Sequence, residues 1–242
     1  MNETWQELKT FLLRLRNLPV STTMMVGGSG FCISTGCSME SWVFLPEKIH
    51  SMKLVEKTKR FFREQNVSFM WPVFAPADKY VLGNSLGLNY AGDLTGMSFE
   101  SEAGYQPEIS DEKAEPQKVN FRDWAKTAWH AFGGEYDDVP ENYFELVKAF
   151  DEDKNFSLHL YEDKGTFMLN HSKDWIGVYY FAVIPEERRK GIARSMMNEI
   201  CKLSGGKKIL LQATPMGLPF YENFGFKELC KIPVYSDSDD VF

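Results

Sequence analysis

Trp175-Ile176-Gly177-Val178-Tyr179-Tyr180-Phe181-Ala182-Val183-Ile184-Pro185-Glu186-Glu187-Arg188-Arg189-Lys190-Gly191-Ile192-Ala193 is the stretch around which the chain is organised. Its first part, Ile176 to Ile184, is β-branched and aromatic, too short for a membrane span, and stopped by Pro185. It reads as a buried strand. After the basic loop, Ile192, Met196, Met197, Ile200 and Leu203 fall on one helical stripe, so a helix is expected over 193–204. A strand, a glycine-bearing basic loop and a helix start make an anion site. The first helical N–H groups have no intrahelical partner, and the helix dipole favours negative charge there. Gly191 has no Cβ to hold a ligand away from the backbone. Arg188, Arg189, Lys190 and Arg194 add charge suited to a phosphate.

Val183-Ile184-Pro185-Glu186-Glu187-Arg188-Arg189-Lys190-Gly191-Ile192-Ala193 resembles the pyrophosphate loop of the GNAT family of acetyl-CoA-dependent N-acetyltransferases. That loop has Arg or Gln, then Gly three residues on, then Gly or Ala two further. Arg188, Gly191 and Ala193 occupy these positions. Downstream, Tyr221-Glu222-Asn223-Phe224-Gly225-Phe226 is similar to the family's Tyr-x-x-x-Gly-Phe segment. The two together, with a helix and a strand between them, are far more specific than either alone.

The resemblance implies an acetyl transfer from acetyl-CoA to an amine. Backbone N–H groups of Arg188, Arg189, Lys190, Gly191, Ile192 and Ala193 would cradle the pyrophosphate. Backbone around Phe181, Ala182 and Val183 would bond the pantetheine amides and the acetyl carbonyl, a main-chain oxyanion role. Tyr221 would be the general acid for the departing thiolate, since a phenol of pKa about 10 can protonate it. Where relatives often carry Asn, seven residues before that tyrosine, this chain has Thr214 followed by Pro215; a hydroxyl replaces one pantetheine bond, not two. No residue stands out as the base. Asp174, His159, His171 and Tyr179 are candidates, and an already neutral amine needs none.

The remaining sequence bounds this reading. The net charge of -7 argues against a nucleic-acid partner, and it divides evenly between residues 1–115 and 116–242. No apolar run reaches membrane-spanning length, and no signal peptide is visible at the N-terminus. Cys32, Cys37, Cys201 and Cys230 have no zinc-site spacing and read as buried small hydrophobes in a reduced, cytoplasmic protein, a monomer or homodimer. Val26-Gly27-Gly28-Ser29-Gly30 lacks the ending of a P-loop and reads as a turn or strand connection.

The same order of elements occurs twice. The C-terminal half reads strand 176–184, Pro185-Glu186, helix 193–204, strand 207–213, Pro215 and short helix 217–224. The N-terminal half reads strand 41–45, Pro46-Glu47, helix 48–64, strand 67–71, Pro72 and short helix 78–86. After Pro46-Glu47 comes Lys48-Ile49-His50-Ser51-Met52, with neither glycine nor arginine. The expected fold is α+β, with tandem GNAT-like domains, each a mixed, mostly antiparallel sheet flanked by helices. Residues 1–115 would be a degenerate copy without cofactor binding, and 116–242 the acetyltransferase domain. The polar, acidic stretch Gly104 to Lys118 reads as the linker. Helices are expected at 120–131 and 141–151, and a hairpin with strands at 155–161 and 166–169 about Asp163-Lys164-Gly165. The tail from Tyr235 to Asp240 is expected to fray.

The acceptor class left open is an amine on a small molecule or a peptide. Two further readings stay open: a non-catalytic acyl-CoA-binding regulator and a transferase for longer acyl chains.

Overall fold

The computed structural model describes residues 3–26, 28–45, 52–73, 87–100 and 119–238. In chain order these form α1 (Glu3–Arg16), β1 (Thr22–Val26), β2 (Gly30–Ser34), β3 (Trp42–Phe44), α2 (Met52–Glu64), β4 (Met70–Pro72) and β5 (Asn89–Phe99). There follow α3 (Phe121–Ala131), α4 (Glu141–Glu152), β6 (Phe156–Tyr161), β7 (Gly165–His171), β8 (Trp175–Val183), α5 (Ile192–Ser204), β9 (Lys208–Ala213), α6 (Leu218–Phe224) and β10 (Lys227–Ser236). The fold is mixed α+β, and among the described residues no helix is long and apolar enough to cross a membrane.

Two compact units emerge, interleaved in sequence. One holds residues 1–96, 212–221 and 228–242; the other holds 97–211 and 222–227. In the first unit, α1 buries the stripe Trp5, Leu8, Phe11, Leu12 and Leu15, with Glu3 in its first turn and Arg14 and Arg16 in its last, matching the helix dipole. β1 and β2 form an antiparallel hairpin across the glycine-rich stretch, and β2 pairs antiparallel with β3. α2 then crosses to β4, which lies parallel to β3 at Trp42↔Met70. Phe62 of α2 stacks on Phe69 at 4.5 Å, beside Val43, Val55 and Trp71.

The second unit repeats this plan. β6, β7 and β8 run antiparallel, α5 crosses over, and β9 lies parallel to β8. The helices α3 and α4 cover these strands. The Trp124 indole N–H donates to the His159 carbonyl at 3.0 Å and the Phe167 carbonyl at 3.3 Å, so its polar edge is satisfied inside the core. Asn120 caps α3 by accepting from the Arg122 N–H at 2.9 Å. Both units therefore show the strand, helix, strand order that the punctuation of the sequence suggested, and the structure adds that the two strands are parallel.

Strand and helix bounds in both halves agree with expectation to within a few residues. Pro46 to Ser51, the short helix at 78–86 and the linker at 104–118 lie outside the described residues. The tail is a correction. Tyr235 and Ser236 are buried in β10 and pair with Trp71 and Met70 of β4, and the Asp237 carboxylate accepts from the Phe69 N–H at 3.3 Å. An alternating pattern this close to a chain end reads as fraying until its partner, over 160 positions away, is known.

Candidate functional site

β8 begins fully paired. On one side it follows β7, and on the other its parallel ladder with β9 runs through Trp175↔Lys208, Ile176↔Ile209 and Gly177↔Leu210. The β9 register ends there, while β8 continues six residues to Val183. Burial changes accordingly: Ile176, Gly177 and Val178 are buried, while Phe181, Ala182 and Val183 are half-buried. The pairing with β7 is also interrupted. Tyr180 and Phe181 together oppose Phe167, a β-bulge, and Tyr180 has a left-handed φ of 49°. The displaced Tyr180 carbonyl is taken up by the buried Thr166 hydroxyl at 3.1 Å. The Tyr180 ring packs edge-on against Trp124, which holds the bulge from the other side. No residue type in this stretch announces a bulge.

Past β8, Pro185–Glu187 forms one 3-10 turn. Arg189 has φ 63° and Gly191 φ 86°, so the chain is left-handed twice within three residues. Gly191 is the N-cap of α5, and its carbonyl accepts from the Arg194 and Ser195 N–H groups at 3.0 and 3.1 Å. A Cβ at Gly191 would meet no atom within 4 Å; its φ, not crowding, selects glycine. Among the described residues, the N–H groups of Arg189, Lys190, Gly191, Ile192 and Ala193 donate no hydrogen bond. Five donors at the positive end of a 13-residue helix make an anion cradle.

The cations of the loop divide their roles. Arg188 is exposed, yet its guanidinium bridges two carbonyls, its Nε donating to Val183 at 3.0 Å and its Nη2 to Ala131 at 2.9 Å. Lys190 pairs with Glu187 at 2.9 Å. Arg189 is exposed and joins no ion pair among the described residues, and Arg194 lies over the Phe224 ring at 5.9 Å. Glu186 meets His130 Nε2 at 3.2 Å. The Gly134 carbonyl on Nδ1 and the Glu186 carboxylate on Nε2 raise the His130 pKa above its ordinary value, the carbonyl contributing most. Sequence reasoning assigned Arg188 to the ligand and overlooked Ala131, His130 and Glu186, which nothing in their spacing connects to the loop.

Thr214 and Tyr221 cluster with the other compact unit. The Thr214 hydroxyl accepts from the Gly217 N–H at 3.3 Å and its carbonyl from Gly217 and Leu218, so it shapes the entry to α6. Tyr221 is buried, and burial pushes its phenol pKa up. A Cβ on Gly217 would come within 3.1 Å of the Tyr221 ring, so glycine there gives the ring its place.

Among the candidate bases, His159 is committed elsewhere. Its ring stacks on Phe167 at 4.6 Å, and Ser157 Oγ bridges its Nε2, at 2.9 Å, to His171 Nε2, at 2.7 Å. Burial, with His171 alongside, pushes its pKa down to about 4. Cys32, Cys37 and Cys201 are buried free thiols, with pKa values pushed up by burial, to about 12 for Cys32 and about 11 for the others. Among the described residues no cluster of metal ligands occurs.

Residues 152–228 match the family model described as acetyltransferase (GNAT) domain. No curated protein sequence matches the chain. Solved structures match in fold at low identity. A GCN5-related N-acetyltransferase from Kribbella flavida is 14% identical with a TM-score of 0.62, covering 98% of this chain and 96% of that one. A putative acetyltransferase from Pyrococcus horikoshii is 10% identical with a TM-score of 0.59, covering 96% and 78%. A tandem GNAT protein from the clavulanic acid biosynthesis pathway, without AcCoA, is 10% identical with a TM-score of 0.54, covering 90% and 83%. Residues 152–228, which span the bulged strand, the anion cradle and the Tyr-x-x-x-Gly-Phe segment, are thus the part of the chain that is similar to the GNAT acetyltransferase domain.

Proposed function

We propose that the protein is an acetyl-CoA-dependent N-acetyltransferase that passes an acetyl group to the amine of a small molecule or peptide by direct attack on the thioester. The row of unbonded N–H groups from Arg189 to Ala193, at the start of α5 and the end of a strand that outruns its parallel neighbour, carries this reading. Acetyl-CoA supplies the activated acyl group. The loop amides hold its pyrophosphate, with Arg189 and Arg194 adding charge. The half-buried backbone of Phe181, Ala182 and Val183, past the end of the β9 ladder, holds the pantetheine arm and polarises the carbonyl. Arg188 contributes through loop shape, since its N–H donates to the Pro185 carbonyl at 3.4 Å and its side chain is spent on two carbonyls. The Thr214 hydroxyl retains its own proton for one pantetheine bond. Tyr221 acts as general acid, and its raised pKa keeps it protonated at neutral pH.

Acetyl-CoA is expected to raise the melting temperature, because a ligand that binds only the native state stabilises it. Gly191→Asp, which puts a carboxylate and a strained φ in the cradle, is expected to abolish that shift. No shift for the unaltered protein at millimolar acetyl-CoA overturns the reading. A CoA-release assay across an amine panel identifies the acceptor. There, Tyr221→Phe is expected to lower kcat and leave acetyl-CoA affinity nearly unchanged; an unchanged kcat returns Tyr221 to packing.

A second reading is a non-catalytic acyl-CoA-binding regulator. The burial of Tyr221, 8% exposed, favours it, because a less acidic phenol is a weaker proton donor. Acetyl-CoA binding without turnover on any amine would establish it, and competition by longer acyl-CoAs would report acyl-chain preference. We further propose that residues 1–115 are a degenerate GNAT-like domain and 116–242 the active one; the shared strand-helix-strand plan supports this. The four free thiols fit a reduced, cytoplasmic setting.

A further inference from the structure

We infer that Arg188, Glu186 and His130 form a two-point clamp that fastens the anion cradle to the C-terminal end of α3, making Arg188 and His130 positioning residues for the cradle. The inference rests on the function proposed above only for its effect on acetyl-CoA; the clamp itself stands on geometry.

The cradle has reason to need one. Arg188, Arg189, Lys190 and Arg194 crowd like charge together, two residues of the loop sit at left-handed φ, and five of its amides bond to nothing among the described residues. Such a loop has little of its own to hold its shape. The last carbonyls of α3 are the complementary need, since a helix end leaves them without intrahelical donors and carries partial negative charge. Arg188 answers both. Its Nη2 donates to the Ala131 carbonyl, in the last turn of α3, while its Nε donates to the Val183 carbonyl, at the end of β8. The planar guanidinium thus spans the two elements as one rigid fork.

Two residues earlier, Glu186 makes the second point through His130, also in the last turn of α3. His130 is oriented by its Nδ1–H, which donates to the Gly134 carbonyl at 3.1 Å, so Nε2 faces the Glu186 carboxylate. Protonated, His130 donates to Glu186. Neutral, with Nδ1 holding the proton, it presents a lone pair to a carboxylate, and the second point opens. Glu135 adds negative charge near the ring and Tyr136 lies edge-on to it at 6.1 Å, with Lys126 and Asp137 paired beside that tyrosine. The clamp therefore tightens as pH falls through the His130 pKa and loosens as pH rises through it.

The test uses the full chain. Arg188→Met removes the donors and keeps the side-chain length; Glu186→Gln removes the charge facing His130. Trypsin cleavage after Arg189 and Lys190 is expected to quicken roughly tenfold in Arg188→Met, as the loop opens more often. Arg188→Lys, which satisfies one carbonyl at a time, is expected to recover part of the protection. The His130 imidazole, followed by NMR, is expected to titrate at lower pH in Glu186→Gln. The KM for acetyl-CoA is expected to rise about tenfold in Arg188→Met with kcat unchanged. It is expected to rise with pH between about 6 and 8 in the unaltered chain more than in His130→Gln. Unchanged cleavage in Arg188→Met together with an unchanged His130 titration overturns the clamp. If both move as expected while the unaltered protein binds no acetyl-CoA, the clamp stands and the function proposed above falls.

Discussion

At the scale of single residues, the side chains that shape this protein differ from those its motif points to. Arg188 matches a family position by type, yet its charge goes to Val183 and Ala131. Gly191 was legible from its place in the basic loop, and the structure adds that its φ of 86° is a local demand that one residue type meets cheaply. Gly134 was not, since its reason is the Trp129 indole, 2.1 to 2.4 Å from where a Cβ would sit. Gly134→Ala is therefore expected to destabilise the chain by about 1–3 kcal/mol, measurable by urea denaturation. His159 makes a pH prediction. Its pKa is pushed down to about 4 in the native chain from the ordinary 6.5, so the unfolded chain binds the proton first. Stability from this group is whole above the ordinary value and is lost as pH falls toward about 4, by up to roughly 3 kcal/mol. His159→Phe keeps the stack on Phe167 and removes the titration, so its stability should fall less steeply over that window.

At the scale of elements, α5 and β8 were readable because each carries its own period and its own stop. The bulge at Tyr180 and Phe181 was not, because it depends on Thr166 supplying a hydroxyl from the neighbouring strand. Thr166→Val keeps the shape and removes the hydroxyl that donates to the Tyr180 carbonyl, a change expected to cost about 1–3 kcal/mol, whereas Thr166→Ser should cost much less. Equal losses in the two variants, measured by chemical denaturation, would assign Thr166 to packing alone. Gly165 belongs to the same element and the same argument. A Cβ there would reach the Met196 sulfur of α5 at 2.6 Å, so this turn glycine also sets how closely α5 approaches the sheet.

At the scale of the whole molecule, each unit has the plan of antiparallel strands, one crossing helix and a parallel strand, and only the second carries a glycine-arginine loop at the helix start. Calorimetric titration is accordingly expected to give one acetyl-CoA per chain; two sites would remove the proposal that residues 1–115 are degenerate. The sequence by itself determined the strand 176–184, the loop, the helix after it and the repeated order of elements. These follow from periodicity, from the φ demands of glycine and from the fixed φ and missing N–H of proline, all of which act within a few residues. Only the tertiary structure decided that the Arg188 guanidinium serves α3, that Thr166 holds the bulge and that β10 is buried against β4. Each is a hydrogen bond or pairing between residues 14 to more than 160 positions apart, and satisfying a buried polar group depends on which neighbour the fold brings near it.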